Sequence, residues 1–189
     1  KPFVKSFNEA NELSKLAKKN KIPLVSFSPL RFADELINVR KNIDNLGSIS
    51  GIIVNGPANS KIINEKKSKN IFYYGIHAVD IMKSIITDDF SMISVNSSDV
   101  GIWVNLKFKR GMYCTLNLAY DIDEKYSVAL FGSSKHGLFE VKSILNCFEN
   151  TLKFLFRELT NYKIWENILE QSVNSIELLN KINKQIKFK

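Results

Sequence analysis

Histidine and cysteine are scarce in this chain, two of each among 189 residues, and the scarcity removes whole classes of chemistry. Zinc and iron–sulfur sites need cysteines or histidines clustered at short spacings. Cys114 and Cys147 stand apart in apolar surroundings, so they read as reduced packing residues of a cytosolic protein, and no metal site is expected. No apolar run reaches the roughly 18 residues that a membrane helix needs. Lys1 to Lys15 also lacks the apolar core of a signal peptide. Internal repeats, low-complexity segments and a glycine-rich phosphate turn are all absent from the sequence. Because the chain opens on lysine, further residues are expected before it in the intact protein.

Arginine is the next shortage: 4 Arg stand against 23 Lys in a chain of net charge +8. A nucleic-acid surface would concentrate that charge and use arginine, whereas these lysines are spread along the chain. Asparagine (20) and isoleucine (22) are inflated with them, the bias that A+T-rich codons produce. The one dense basic run, Lys61 to Lys69, reads as a solvated loop, and no nucleic-acid partner is expected. Asp121-Ile122-Asp123-Glu124 lacks the ligand spacing of a calcium loop and reads as a solvated turn.

What is present begins with Ser6-Phe7-Asn8-Glu9, a serine and a glutamate three apart in capping-box order. Ala10, Leu13, Leu16 and Ala17 then repeat at helical spacing through Lys19. A short apolar strand follows at Ile22 to Ser26, so residues 1–28 resemble the closing helix–strand unit of an α/β domain. After Pro29 the texture changes. Arg31 to Ile43 predicts an amphipathic helix, Ile49 to Asn55 a strand, Gly56 to Asn70 a polar loop, and Phe72 to Ile86 a helix burying Ile76, Val79, Ile81, Met82 and Ile85.

Strand patterns then recur at Ser91 to Ser97, Gly101 to Phe108, Met112 to Tyr120, Tyr126 to Phe131 and Gly137 to Val141. Lys109-Arg110-Gly111 reads as a tight hairpin between the second and third. Strands without intervening helices predict an antiparallel sheet. Two amphipathic helices, Asn146 to Leu159 and Ile164 to Lys184, close the chain, the second repeating Ile164, Ile168, Val173, Ile176, Leu179 and Ile182. The expected fold class is α+β: a mainly antiparallel open sheet with helices on one face, spanning residues 29–189.

The two histidines differ in setting. His136 falls in Ser134-Lys135-His136-Gly137, a hairpin turn. His77 lies within Tyr73-Tyr74-Gly75-Ile76-His77-Ala78-Val79-Asp80, at the start of an apolar helix. An imidazole titrates near neutrality, so His77 is either a proton-transfer group or a satisfied helix histidine. Asp80, three residues on, shares its helix face and either orients His77 or completes a polar patch. Arg31 is either a contact to a polar ligand or a helix-start surface charge. Trp103 either lines an exposed sheet face used for subunit pairing or packs in the core.

Taken in order, Lys1-Pro2-Phe3, the capped helix, Ile22 to Ser26, Arg31-Phe32, Gly75-Ile76-His77-Ala78-Val79-Asp80 and Ala129-Leu130-Phe131-Gly132-Ser133 resemble the glucose–fructose oxidoreductase / inositol dehydrogenase / MocA (Gfo/Idh/MocA) family. The resemblance covers essentially the whole chain and rests on the order and spacing of these segments. It implies that residues 1–28 are the C-terminal remnant of a truncated NAD(P)-binding Rossmann domain, with Lys1-Pro2 the end of a Glu-Lys-Pro motif. Residues 29–189 would then be the substrate and oligomerisation domain.

The function implied is hydride transfer between NAD or NADP and a hydroxyl carbon of a sugar, cyclitol or sugar derivative. Lys1 and His77 would be the catalytic pair, Arg31, Tyr73, Tyr74 and Asp80 would contact substrate, and Lys1 and Pro2 would touch the cofactor. The implied partners are a small sugar or polyol and further copies of the chain, paired through the sheet, with no membrane. Chemically, an imidazole within hydrogen-bond reach takes the hydroxyl proton, and an ammonium stabilises the charge that develops on oxygen. One position departs from the pattern: Tyr73 stands where such dehydrogenases often place an aspartate, one turn before the histidine. That departure opens an alternative, a sugar- or nucleotide-sensing protein that keeps the fold without the chemistry. The 189 residues alone are expected to be inactive, because the pyrophosphate-binding turn is missing.

Overall fold

Period-two burial makes the sheet. The computed structural model describes residues 3–4, 6–58, 71–122, 125–158 and 160–186. Lys1, Pro2, most of the polar loop with its basic run, Asp123 and Glu124 lie outside the described residues. Six strands are present among the described residues: β1 (Ile49–Ala58), β2 (Phe90–Ser98), β3 (Gly101–Phe108), β4 (Tyr113–Tyr120), β5 (Ser127–Gly132) and β6 (His136–Glu140). They form one sheet in the order β2-β3-β4-β1-β5-β6. On β3, Ile102, Val104, Leu106 and Phe108 are buried, while Trp103, Asn105 and Lys107 alternate onto the other face. Trp103 therefore sits half-buried on the open face and not in the core.

Four of the five strand pairs are antiparallel, and the exception is at the centre. β1 pairs in parallel with β4, from Gly51 opposite Tyr113 to Ala58 opposite Tyr120. A parallel pair needs a crossover, and helix α3 (Phe72–Ile85), with β2 and β3, makes it. The hairpin expected at Lys109-Arg110-Gly111 is present, with Gly111 at φ 88° and its N–H donating to the Phe108 carbonyl at 2.9 Å.

The helices cover one face. α1 (Phe7–Asn20) starts as expected, the Ser6 side chain accepting from the Glu9 N–H at 3.2 Å. Its buried residues are Ala10, Ser14 and Ala17, small side chains that let it lie against the last helix, α5 (Tyr162–Gln185). Leu13 and Leu16, expected on the apolar side, face outward, because no described residue covers them. α2 (Asp34–Lys41) is shorter than the predicted helix, with 3-10 turns at Pro29–Phe32 before it and Ile43–Leu46 after it. α4 (Ile144–Arg157) precedes α5, in which Ile168, Val173, Ile176, Leu179 and Ile182 are buried as the spacing predicted.

Ile22 to Ser26 departs from the expected strand. A strand exists only through a neighbour's N–H and C=O groups, and these residues pair with none among those described. The Ser26 carbonyl instead accepts from the Ser172 hydroxyl of α5. Cys114 and Cys147 are both buried and free, and burial pushes the Cys114 thiol well above its ordinary value. Among the described residues, no helix is long and apolar enough to cross a membrane.

Candidate functional site

α3 is the most enclosed helix among the described residues. Ten of its fourteen residues are buried, including His77, Asp80 and Lys83. It lies between the sheet and α5, and Gly75 permits the close crossing: a Cβ there would stand 3.0 Å from Leu179 and 2.6 Å from Ile71. Polar side chains in such a helix must find partners, and those partners define the site.

The first partner is Ser28, which the sequence did not single out. It caps the Pro29–Phe32 turn, its hydroxyl accepting from the Leu30 N–H at 3.2 Å, and Pro29 suits the first position of that turn. The same hydroxyl lies 2.5 Å from Nδ1 of His77, and the Ser28 N–H donates to Oδ2 of Asp80 at 2.8 Å. His77 and Asp80 share a helix face, as their spacing predicted. One serine therefore holds both, through its side chain and its backbone.

Arg31 leaves the same turn and is 7% exposed. Its Nε stands 3.6 Å from Oδ2 of Asp80, its Nη2 donates to Oε1 of Gln171 on α5 at 2.6 Å, and its guanidinium lies over the Phe27 ring. It is thus a buried ion-pair member and not a surface charge. Arg40 of α2 donates to the Ser84 hydroxyl at 3.2 Å. Burial, and then the Arg31 charge, lower it to about 10, with Asp80 opposing. Burial pushes the Asp80 carboxyl above the usual carboxylate range, while Arg31, the Ser28 N–H and Arg40 pull it back.

The second partner missed from sequence is Tyr126. Its ring centroid is 5.5 Å from that of His77, and its hydroxyl donates to the Tyr74 carbonyl at 3.3 Å. Burial raises the phenol far above its ordinary value, so it acts as a neutral donor. Tyr73 is exposed and Tyr74 half-buried at the start of α3. The structure thus joins His77, Asp80 and Arg31 into one network, with Tyr74 attached through its carbonyl, while Lys1 and Pro2 lie outside the described residues. His136 opens β6 and packs against Phe131.

Gly56 of β1 keeps Tyr126 against the histidine. A Cβ at Gly56 would sit 2.2 Å from the Tyr126 ring, which no rotamer adjustment of one methyl can relieve. Gly56→Ala is therefore expected to displace the ring, to destabilise the fold by about 1–3 kcal/mol, and to move the His77 ring proton resonances. Urea unfolding with one-dimensional NMR checks both; unchanged His77 resonances would show that the ring had not moved.

No protein-family model and no curated protein sequence matches this chain. Solved structures do. The chain superposes on a putative myo-inositol dehydrogenase from Sinorhizobium meliloti 1021 with a TM-score of 0.84 at 13% identity, covering 98% of this chain and 69% of that one. A UDP-N-acetylglucosamine 3-dehydrogenase from Acidithiobacillus ferrooxidans gives a TM-score of 0.78 at 11% identity, with the same 98% and 69% coverage. A protein of gentamicin A biosynthesis, solved in complex with NAD, gives 0.75 at 11% identity, covering 98% and 67%. The likeness is one of fold: the chain has the α+β architecture of the C-terminal part of Gfo/Idh/MocA-type dehydrogenases.

Proposed function

We propose that this chain is the substrate-binding half of an NAD(P)-dependent oxidoreductase acting on a hydroxyl carbon of a sugar, cyclitol or sugar derivative. The observation that carries the proposal is a buried histidine fixed by Ser28 beside an Asp80–Arg31 pair, on the crossover helix of a dehydrogenase-like fold. Arg31, Tyr73, Tyr74 and Asp80 shape the substrate side, and Lys1 is assigned to the same site as its ammonium. Bound nicotinamide would accept or give the hydride. The sequence holds no glycine-rich turn to seat a pyrophosphate, so the dinucleotide would be held mainly by another domain, with Lys1 and Pro2 at its margin.

Residues 1–28 are accordingly assigned to the end of a nucleotide-binding domain and residues 29–189 to the substrate domain. Two observations support that division: outward Leu13 and Leu16 on α1, with exposed Ile22 after it, and a segment, Ile22 to Ser26, that pairs with no strand among the described residues where a strand was expected. The same proposal places the protein in the cytoplasm, as a homo-oligomer paired through the open sheet face, where Met92, Tyr113 and Leu138 are exposed. Sedimentation as a monomer at micromolar concentration would remove the oligomer from the proposal.

Tyr73, in place of a carboxylate, favours a second function, sugar or nucleotide sensing without turnover. Nicotinamide reduction by the intact protein against a panel of polyols and sugars, with NAD+ and NADP+ in parallel, separates the two. Turnover that His77→Ala lowers by about a hundredfold or more supports the dehydrogenase, whereas nucleotide binding without turnover on any substrate supports the sensor.

A further inference from the structure

Ser28 does more than hold the histidine in place. Its side chain is fully buried, so water cannot take its proton. Among the described residues its oxygen has two polar partners: the Leu30 N–H, which donates to it, and Nδ1 of His77, which donates or accepts according to its tautomer. A hydroxyl has a single proton, and burying it without an acceptor is costly. The Leu30 N–H already occupies one lone pair, so the hydroxyl proton is directed at the imidazole.

We infer that Ser28 is a positioning residue that fixes neutral His77 as the Nε2–H tautomer, so that His77 meets its substrate as a hydrogen-bond donor. A carboxylate in the same place would do the reverse: it would accept Nδ1–H and leave Nε2 bare to take a proton. Here a bare Nε2 requires the proton to move to Nδ1, which strands the buried Ser28 hydroxyl. That penalty biases the tautomer ratio by about tenfold or more.

The tautomer stands on the geometry alone, while its catalytic consequence rests on the dehydrogenase proposal above. In that reaction hydride adds to, or leaves, the substrate carbon. Nε2–H stabilises the negative charge on oxygen in both directions. The lysine assigned to position 1 gives the oxygen its proton as an ammonium when hydride adds, and takes that proton as a neutral amine when hydride leaves. His77 then works as an electrostatic partner of the oxygen and not as the base. The absence of a carboxylate at Tyr73 fits, because a histidine in this role needs no anion at Nδ1.

The test uses the chain's own scarcity of histidine. Two-bond proton–nitrogen correlation spectra of the protein labelled with 15N-histidine give two ring systems, and His136, exposed, serves as the internal reference. At a pH where both rings are neutral, His77 is expected to show an unprotonated Nδ1 and a protonated Nε2. Ser28→Ala, which keeps the backbone N–H to Asp80, is expected to shift that pattern toward a mixture of tautomers while leaving the His136 signals in place. A His77 protonated on Nδ1, or a pattern unmoved by Ser28→Ala in a folded variant, overturns the inference. If Ser28→Ala does not fold, the unmodified chain alone decides. Since the spectra need neither cofactor nor substrate, a failed activity assay beside an Nε2–H His77 would count against the dehydrogenase proposal only.

Discussion

Asp80→Ala is expected to cost about 3–5 kcal/mol of folding stability, because it breaks a buried ion pair by removing one partner. Asp80 is 1% exposed. Its loss leaves the Ser28 N–H without an acceptor and Arg31 without its counter-charge, with Arg40 close enough to add repulsion. Asp80→Asn retains an acceptor for Ser28 and should lose less, so the difference between the two variants isolates the charge. Urea unfolding followed by circular dichroism measures both. A loss below about 1 kcal/mol, the range of surface pairs, would mean that Arg31 reaches solvent when Asp80 is gone.

The same carboxyl gives a pH dependence of definite sign. Burial raises its pKa in the folded state, so between the ordinary carboxylate value and the raised one the folded protein binds more protons than the unfolded chain. Stability is then fully present below the unfolded value and declines as pH rises through the folded one. Asp80→Ala should flatten that limb of the stability profile. Its stability cost and the raised pKa are compatible, because the protonated carboxyl still accepts from Ser28 while the ionised one also offsets two buried guanidinium groups.

His77→Ala carries the largest expected functional effect: in the intact enzyme proposed above, a loss of about 10²–10³ in kcat/KM, the range for removing one donor from a developing oxyanion. His77→Gln is the more informative change. A glutamine amide can donate near the position of Nε2 but cannot take up a proton. If His77 donates, Gln should recover part of what Ala loses; if His77 transfers a proton, both variants should be equally impaired. Steady-state rates of nicotinamide reduction, with thermal unfolding as a control for folding, distinguish these outcomes.

Local signals were the legible part of this molecule. The Ser6–Glu9 cap, the Lys109-Arg110-Gly111 hairpin and the period-two strands each depend on residues within a few positions of one another, and each is present in the fold. The burial of α5 followed from its 3.6-residue periodicity. Ser28 was missed for the opposite reason. A serine before Pro29 signals a turn cap, but nothing near it marks a contact with a residue 49 positions away. Tyr126 likewise gains its role from Gly56 and His77, on two other elements. The outward Leu13 and Leu16 could not be foreseen from spacing, because Ala10, Ser14 and Ala17 fit closer to α5 than leucine would. The parallel β1–β4 pair escaped notice since strand-after-strand sequence describes neighbours in the chain and not neighbours in the sheet.

That parallel pair also governs the order in which the protein can assemble on the ribosome. β1 emerges first of the six strands, yet both of its neighbours, β4 and β5, are made later. The first register contact, Gly51 with Tyr113, spans 62 positions, which at about 5–20 residues per second is a delay of several seconds. Throughout it, Ile52, Ile53 and Val54 have unpaired backbone on both sides. β2, β3 and β4 can meanwhile zip together as a local meander, with β1 docking onto its finished edge. A nascent chain stalled before β4 would therefore present an adhesive strand, and holding it in solution is work for a chaperone.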